Sequence, residues 1–295
     1  MLFRSPDLYW QDKVEDIVIP ERFERLGTKV VCNQKPSKLA HLWELCSGSG
    51  ALSSRARETA VAHLPPIDMR YGWYTGRRED QILIVLGLLR VGVVCLFAAP
   101  NCALWGNMVH GMPIDRLADR REREVPTLRF LAMCCLLQHL MGRHFMIENS
   151  GASKIFKDSP PKALDRLGLH KTKLDQCMYG AELEGEHIKK NTAIVTDKPI
   201  TGLDRCCDRS HTHLVLRGGG PDGSRTASAA RYPKGLCDAL LKAITHMDKN
   251  ATPEDGGRRI PSFSFCEPDG FQEIDRKSTR LNSSHSSVSR MPSSA

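Results

Sequence analysis

Short apolar runs alternate with stretches of helical periodicity along most of this chain. His41–Cys46, Pro66–Met69, Val93–Ala98, His144–Ile147, Leu174–Met178 and Ala193–Thr196 have the length and apolar content of buried strands. Ala51–Ala60, Asp80–Leu89, Val125–Met141, Pro161–Leu167 and Pro233–His246 carry helical patterns between and after them. Such alternation predicts an α/β fold, a three-layer sandwich with a mostly parallel sheet covered by helices on both faces. The domain is expected over 41–249, after an N-terminal extension at 1–40. Beyond Lys249 the composition shifts to Pro, Gly, Asp and Ser, so 250–275 reads as a loose extension. The Ser-rich stretch 276–295 fits either a cloning or sequencing scar or a natural disordered tail, and is set aside.

One segment imitates a membrane span. Ile82–Pro100 is almost wholly apolar, but Arg90 stands near its centre and Gly92 follows. An arginine at the middle of a bilayer costs about 2.5–3.5 kcal/mol. A helix, a turn and a buried strand account for the run better, and no membrane contact is expected. The N-terminus lacks the apolar core of a signal peptide. Eleven cysteines, an odd number without regular spacing, do not form a disulfide framework and suit a reducing compartment. The expected location is therefore intracellular, nucleus or cytoplasm.

The net charge of +8 is uneven. Arg276, Lys277, Arg280 and Arg290 lie in the last twenty residues, which hold no acid; removing them from 42 bases leaves 38 against 34 acids, or +4. A mildly basic body permits a nucleic-acid partner without demanding one.

The first strand runs into HLWELCSGSGAL, ending in Glu44 before a Gly-rich turn that opens a helix. Gly48 and Gly50 allow a tight turn and a close approach to a ligand. Asp68 follows in PPIDMR, at the spacing that suits ribose hydroxyls. A dinucleotide fingerprint would place glycine where Ser53 stands, which argues against nicotinamide. The third strand leads into CLFAAPNCALWGN, putting Ala99, Pro100 and Cys102 at the edge where open α/β sheets bind ligands. The fourth ends in Glu148 and Asn149. A thiolate and a carboxylic acid ending neighbouring strands suit attack on an electron-poor ring with management of a ring proton.

These motifs carry a resemblance. ELCSGSGAL looks like motif I of the Rossmann-like class I S-adenosylmethionine-dependent methyltransferases. The order and spacing of Pro100–Cys102, Glu148–Ser150, Tyr179–Gly180, Lys189–Lys190 and Thr192–Val195 resemble the DNA cytosine-5 methyltransferases. SRTASAARYPKGLCDALLKAI is similar to their terminal helix. The run 41–245 also resembles methyltransferase-like segments of protist genomes, some carried by retroelements.

The resemblance implies S-adenosyl-L-methionine as cofactor, held by Glu44, Cys46, Ser47, Gly48, Gly50, Asp68, Ala99 and Pro100. It implies Cys102 as nucleophile and Glu148 as acid. Trp105, Asn149, Lys189 and Lys190 are then expected on the substrate side, with DNA ahead of RNA as partner. Trp105 would stack on a flipped base, although a buried wedge is the commoner fate of tryptophan. The chain departs from the cytosine-5 pattern in three ways. Asn101 stands where proline precedes the nucleophile, lysines replace an arginine pattern, and the stretch before SRTASAARYP is too short for a target-recognition domain.

Two features fall outside that pattern. Cys206, Cys207, His211 and His213 lie within eight residues. Thiolates and imidazoles are zinc ligands, but adjacent cysteines suit one ion poorly, and a hydrogen-bonding loop without metal is expected. Arg116, Arg120, Arg121 and Arg123 alternate with Asp115, Asp119, Glu122 and Glu124, as on a solvated helix face, with phosphate contact as the alternative. The function expected is methyl transfer to cytosine in nucleic acid. The rivals are an inactive methyltransferase-fold remnant or nucleic-acid-binding module of a mobile element, and a methyltransferase for another base or a small molecule.

Overall fold

The computed structural model of the chain describes residues 40–106, 109, 112–216, 219–220 and 223–249. Of the N-terminal extension expected at 1–40, only Ala40 is described, and it opens the first strand; the loose extension and the tail, at 250–295, lie outside the described residues.

Five strands form one sheet: β1 (Ala40–Leu45), β2 (Val93–Ala98), β3 (His144–Ser150), β4 (His170–Asp175) and β5 (Asn191–Thr196). Their order is β1-β2-β3-β5-β4. β1, β2 and β3 pair in parallel, while β5 runs antiparallel to both its neighbours. The longer helices among the described residues are α1 (Ala51–Glu58), α2 (Arg78–Arg90), α3 (Ile114–Leu140) and α4 (Lys234–Lys249).

Successive strand residues point to opposite faces, and two apolar cores follow. Trp43, Leu96, Phe145 and Ile147 share one with Ile84 and Leu88 of α2 and Leu131 and Cys135 of α3. Leu42, Cys95, Phe97, Met146 and Ile194 share the other with Leu52 of α1 and Leu236, Leu240 and Ile244 of α4. This is the Rossmann-like three-layer α/β sandwich with a mostly parallel sheet that the pattern predicts.

Three elements differ from expectation. Pro66–Met69 is not a strand; only His63 and Ile67 bridge to β1, because Pro65 and Pro66 have no amide to donate to a ladder. β4 starts four residues early and Gln176–Tyr179 is a 3-10 turn. As an edge strand β4 carries exposed His170, Lys171 and Lys173, which hide it from an apolar search. α3 begins at Ile114 and runs through Pro126, where the expectation had placed a helix start.

Ile82–Pro100 forms the end of α2, a turn at Gly92 and β2, and no helix among the described residues is long and apolar enough to cross a membrane.

The register sets the functional edge. Leu45 pairs with Ala98 and Ala98 with Ile147, so these three stand in one row. Cys46, Ala99 and Glu148 form the next row, at the carboxyl ends of the strands. Because β5 runs the other way, its beginning, and Lys190 just before it, arrives at that same edge.

Candidate functional site

The loop after β1 alternates its handedness. Cys46, Gly48 and Gly50 all have left-handed φ, at 54°, 56° and 63°. Glycine adopts this conformation freely; Cys46 does so at a cost. At Gly50 the backbone comes so close to Tyr71 that a Cβ would lie 2.7 Å from its hydroxyl. Asp68 closes the loop from outside: one carboxylate oxygen accepts from the Gly48 amide at 2.8 Å, the other from the Arg70 amide at 3.1 Å.

Glu44, at the end of β1, is fully buried. Its Oε2 accepts from both the amide (2.9 Å) and the hydroxyl (2.6 Å) of Ser53 in α1. Ser53, which the sequence showed only as a missing glycine, clamps the acid. Loss of water outweighs these bonds and pushes the Glu44 carboxyl up to about 7. Among the described residues, its other oxygen, Oε1, is a buried acceptor without a partner, and the nearby Ser47 hydroxyl is likewise unpaired. Burial first, and then the Asp68 charge, pushes the Cys46 thiol up to about 12, so it stays protonated.

Pro100 is buried, and its carbonyl accepts from the Asn149 side chain at 2.9 Å. Ala99 continues the sheet, its amide donating to Leu45. Asn149, 1% exposed, therefore holds the chain leading to Cys102. Cys102 is open to solvent on one side. Enough protein surrounds the sulfur, however, to raise its pKa by desolvation; the Glu148 carboxylate raises it further and the Lys190 ammonium lowers it.

Glu148 is raised by burial as well, against the Lys190 charge and a hydrogen bond from the Tyr232 hydroxyl. The Tyr232 ring meets Phe97 edge-on at 6.1 Å, and the Lys190 ammonium stands 5.6 Å from its centre. Cys102, Glu148, Lys190 and Tyr232 thus meet at one edge. Lys189 does not join them: one residue along the chain, its ammonium faces Asp175 at 3.8 Å.

Trp105 is a correction to the stacking expectation. It is 2% exposed, its indole N–H donates to Glu124 at 2.9 Å, and the Arg121 guanidinium lies 4.7 Å from its ring. Among the described residues, that burial leaves its ring no open face on which a base could stack. Glu124 also accepts from Asn101 (3.0 Å), while Arg121 donates to the Leu104 carbonyl (2.9 Å). The mixed-charge helix is therefore only partly a solvated face. Arg123 and Asp119 pair in solvent, but Glu124 and Arg121 tie α3 to the loop that carries Cys102.

Sequence reasoning also passed over Tyr232, whose place beside Glu148 depends on how α4 packs. The Cys206–His213 loop divides in an unexpected way. Cys206 turns outward, its thiol 3.7 Å from the Lys173 carbonyl, while Cys207, His211 and His213 turn inward toward Cys177. A separate groove of about 1190 Å3 runs along α4, lined by His139, Asp197 and Lys242 among others, and touches neither Cys102 nor Glu148.

Among known proteins, no family model matches this chain, and neither does any curated protein. Similarity is found to solved structures. One is a Dnmt2 methyltransferase of S. pombe, 12% identical over 54% of this chain and 49% of that one, with a TM-score of 0.29. Another is a DNMT2 variant of Spodoptera frugiperda, 13% identical over 59% and 54%, with a TM-score of 0.31. The chain spans about half the length of the proteins it matches.

Proposed function

We propose that this protein is an S-adenosylmethionine-dependent methyltransferase acting on cytosine in nucleic acid, with DNA the first substrate to test. One observation carries the reading. The sheet register brings Cys102, Glu148 and Lys190 to a single edge beside the Glu44 loop, where the Glu148 and Lys190 charges act on the Cys102 thiol and the Lys190 charge acts on Glu148.

The loop fits the cofactor. Glu44 Oε1 is a buried acceptor awaiting a donor, which suits the ammonium of a methionine moiety, and the Ser47 hydroxyl lies in the same loop. Each Asp68 oxygen accepts one backbone N–H and keeps a lone pair for a ribose hydroxyl. When bound, the cofactor would supply an electrophilic methyl group from its sulfonium, whose sulfur keeps the bonding pair and leaves as the neutral thioether.

The chain's own residues do the rest. The Cys102 thiolate bonds to carbon 6 of the cytosine, and Glu148 gives its proton to ring nitrogen 3. The electron pair so released makes carbon 5 nucleophilic, and carbon 5 takes the methyl group. Loss of the carbon-5 proton to solvent expels the thiolate, and the nitrogen-3 proton returns to Glu148. Burial suits Glu148 to this task, since it raises the carboxyl's pKa and so favours the proton-bearing form. A neutral Glu148 also stops opposing the Cys102 thiolate and leaves the Lys190 cation to favour it.

A second reading is an inactive methyltransferase-fold remnant or nucleic-acid-binding module of a mobile element. One observation favours it: the Cys102 thiol lies above its ordinary pKa, hence protonated at neutral pH. Oligonucleotides containing 5-fluorocytosine separate the two. With cofactor, the first reading expects a denaturation-resistant adduct on DNA or RNA that Cys102→Ser abolishes. Absence of any adduct, with no cofactor binding by calorimetry, leaves the remnant.

A further inference from the structure

We propose that Cys177, Cys207, His211 and His213 form a tetrahedral site for a divalent transition metal, zinc before others, which fastens the 197–216 loop to the sheet. One ligand atom from each of the four lies within 4.8 Å of every other. The Cys207 sulfur is 3.5 Å from Nε2 of His213 and 3.8 Å from Nε2 of His211. In a tetrahedron with ordinary Zn–S and Zn–N bonds, sulfur and nitrogen stand about 3.6 Å apart. The observed edges match that value before any ion draws them in.

The donor set is as informative as the spacing. Two thiolates and two imidazoles are a zinc combination, and the thiolates would neutralise the dication. Only one of the adjacent cysteines takes part, which removes the objection that a Cys-Cys pair chelates poorly. The fourth ligand comes from thirty residues earlier, in the 3-10 turn after β4, so a local spacing search misses it.

The surroundings orient the ligands. The Arg209 amide donates to the Cys207 sulfur at 3.4 Å, as suits a thiolate. The Ser210 hydroxyl donates to Asp208 at 2.7 Å and stands 3.4 Å from Nδ1 of His211. Its lone pair accepts from Nδ1–H, which leaves the Nε2 lone pair of His211 facing Cys207. The Cys207 amide is fixed in turn by Asp175 at 2.9 Å.

The loop also needs such a fastening. Residues 197–216 contain neither helix nor strand. Unstructured connections longer than about 12–15 residues are uncommon in compact domains unless something holds them. A metal joining Cys177 to Cys207, His211 and His213 supplies that hold, and its binding energy becomes folding energy for the segment.

The test uses the whole chain purified from zinc-supplied cells. Metal analysis should find about one zinc per chain, and cobalt exchange should give the intense visible bands of a tetrahedral thiolate site. Cys177→Ser, Cys207→Ser and His213→Ala should lose the metal, whereas Cys206→Ser should keep it. Unaltered protein guards against misfolded variants: chelator should speed tryptic cleavage after Arg205 and Arg209, and zinc should reverse this. The proposal is overturned if the intact chain retains no metal, if Cys206→Ser loses as much as Cys207→Ser, or if mass analysis finds a Cys177–Cys207 disulfide instead.

Discussion

The side-chain amide of Asn149 donates a 2.9 Å hydrogen bond to the Pro100 carbonyl, joining the ends of β3 and β2 just before the segment that presents Cys102. The bond is wholly buried, so no water replaces it when it is lost.

Asn149→Ala leaves the Pro100 carbonyl unsatisfied and should destabilise the fold by about 1–3 kcal/mol. Asn149→Asp should cost more, since it sets a carboxylate against that carbonyl in a buried site. Urea denaturation measures both. Equal midpoints for Asn149→Ala and the parent protein would show that the tether carries nothing.

Glu44 makes stability depend on pH. Its folded pKa, about 7, lies above the 4.5 ordinary for the group. The contribution is therefore fully present below 4.5, declines as pH rises because the unfolded chain ionises first, and is lost by about 7. A shift of this size corresponds to something on the order of 3 kcal/mol. Glu44→Gln keeps an acceptor for Ser53 and removes the ionisation. At pH 8 the variant should melt higher than the parent without ligand, and near pH 4.5 the difference should shrink. In calorimetry the same variant should bind S-adenosylmethionine more weakly, with Oε1 no longer a carboxylate oxygen. A Tm difference that is flat with pH would refute the assignment.

The fold was legible where burial governs the residue pattern. β2 lies on Val93–Ala98 as expected because all six residues are buried, leaving one apolar run. β4 was misplaced because an edge strand faces water, and its lysines look like loop. Of the candidate site, the strand ends could be read, since Cys102 and Glu148 follow apolar runs directly. Side-chain direction could not. Lys189 and Lys190 are equivalent in sequence, yet adjacent residues point apart, and only Lys190 reaches Glu148. Cys177 was hidden for a related reason: its partners come from a loop thirty residues away.

Gly235 joins the Tyr179–Gly180 turn to α4. A Cβ there would meet the Tyr179 carbonyl oxygen at 2.5 Å, and that atom is backbone with little room to yield. Two effects oppose each other in Gly235→Ala. Helix propensity favours alanine by up to about 1 kcal/mol, while overpacking a tight contact costs about 1–3 kcal/mol. The contact should win, because α4 cannot withdraw without opening the core around Leu236 and Leu240. A lower melting temperature is expected; a higher one would mean that helix propensity governs the position.

The two lysines give the sharpest test of the site. The Lys190 charge lowers the pKa of both Cys102 and Glu148, whereas Lys189 lies against Asp175. Lys190→Met removes the cation but keeps much of the aliphatic stem beside Tyr232. The Cys102 thiol, already above its ordinary value, should rise further, so its alkylation profile should move to higher pH. Lys189→Met should leave that profile in place. Glu148→Gln should move it the other way, because it deletes the carboxylate that raises the thiol. The readout is the pH dependence of iodoacetamide labelling, followed by mass spectrometry of the Cys102 peptide so that the other cysteines do not interfere. Opposite shifts for Lys190→Met and Glu148→Gln require both charges to act on one sulfur. If neither moves the profile, Cys102 does not share a site with them, and covalent chemistry at that edge is lost as an explanation.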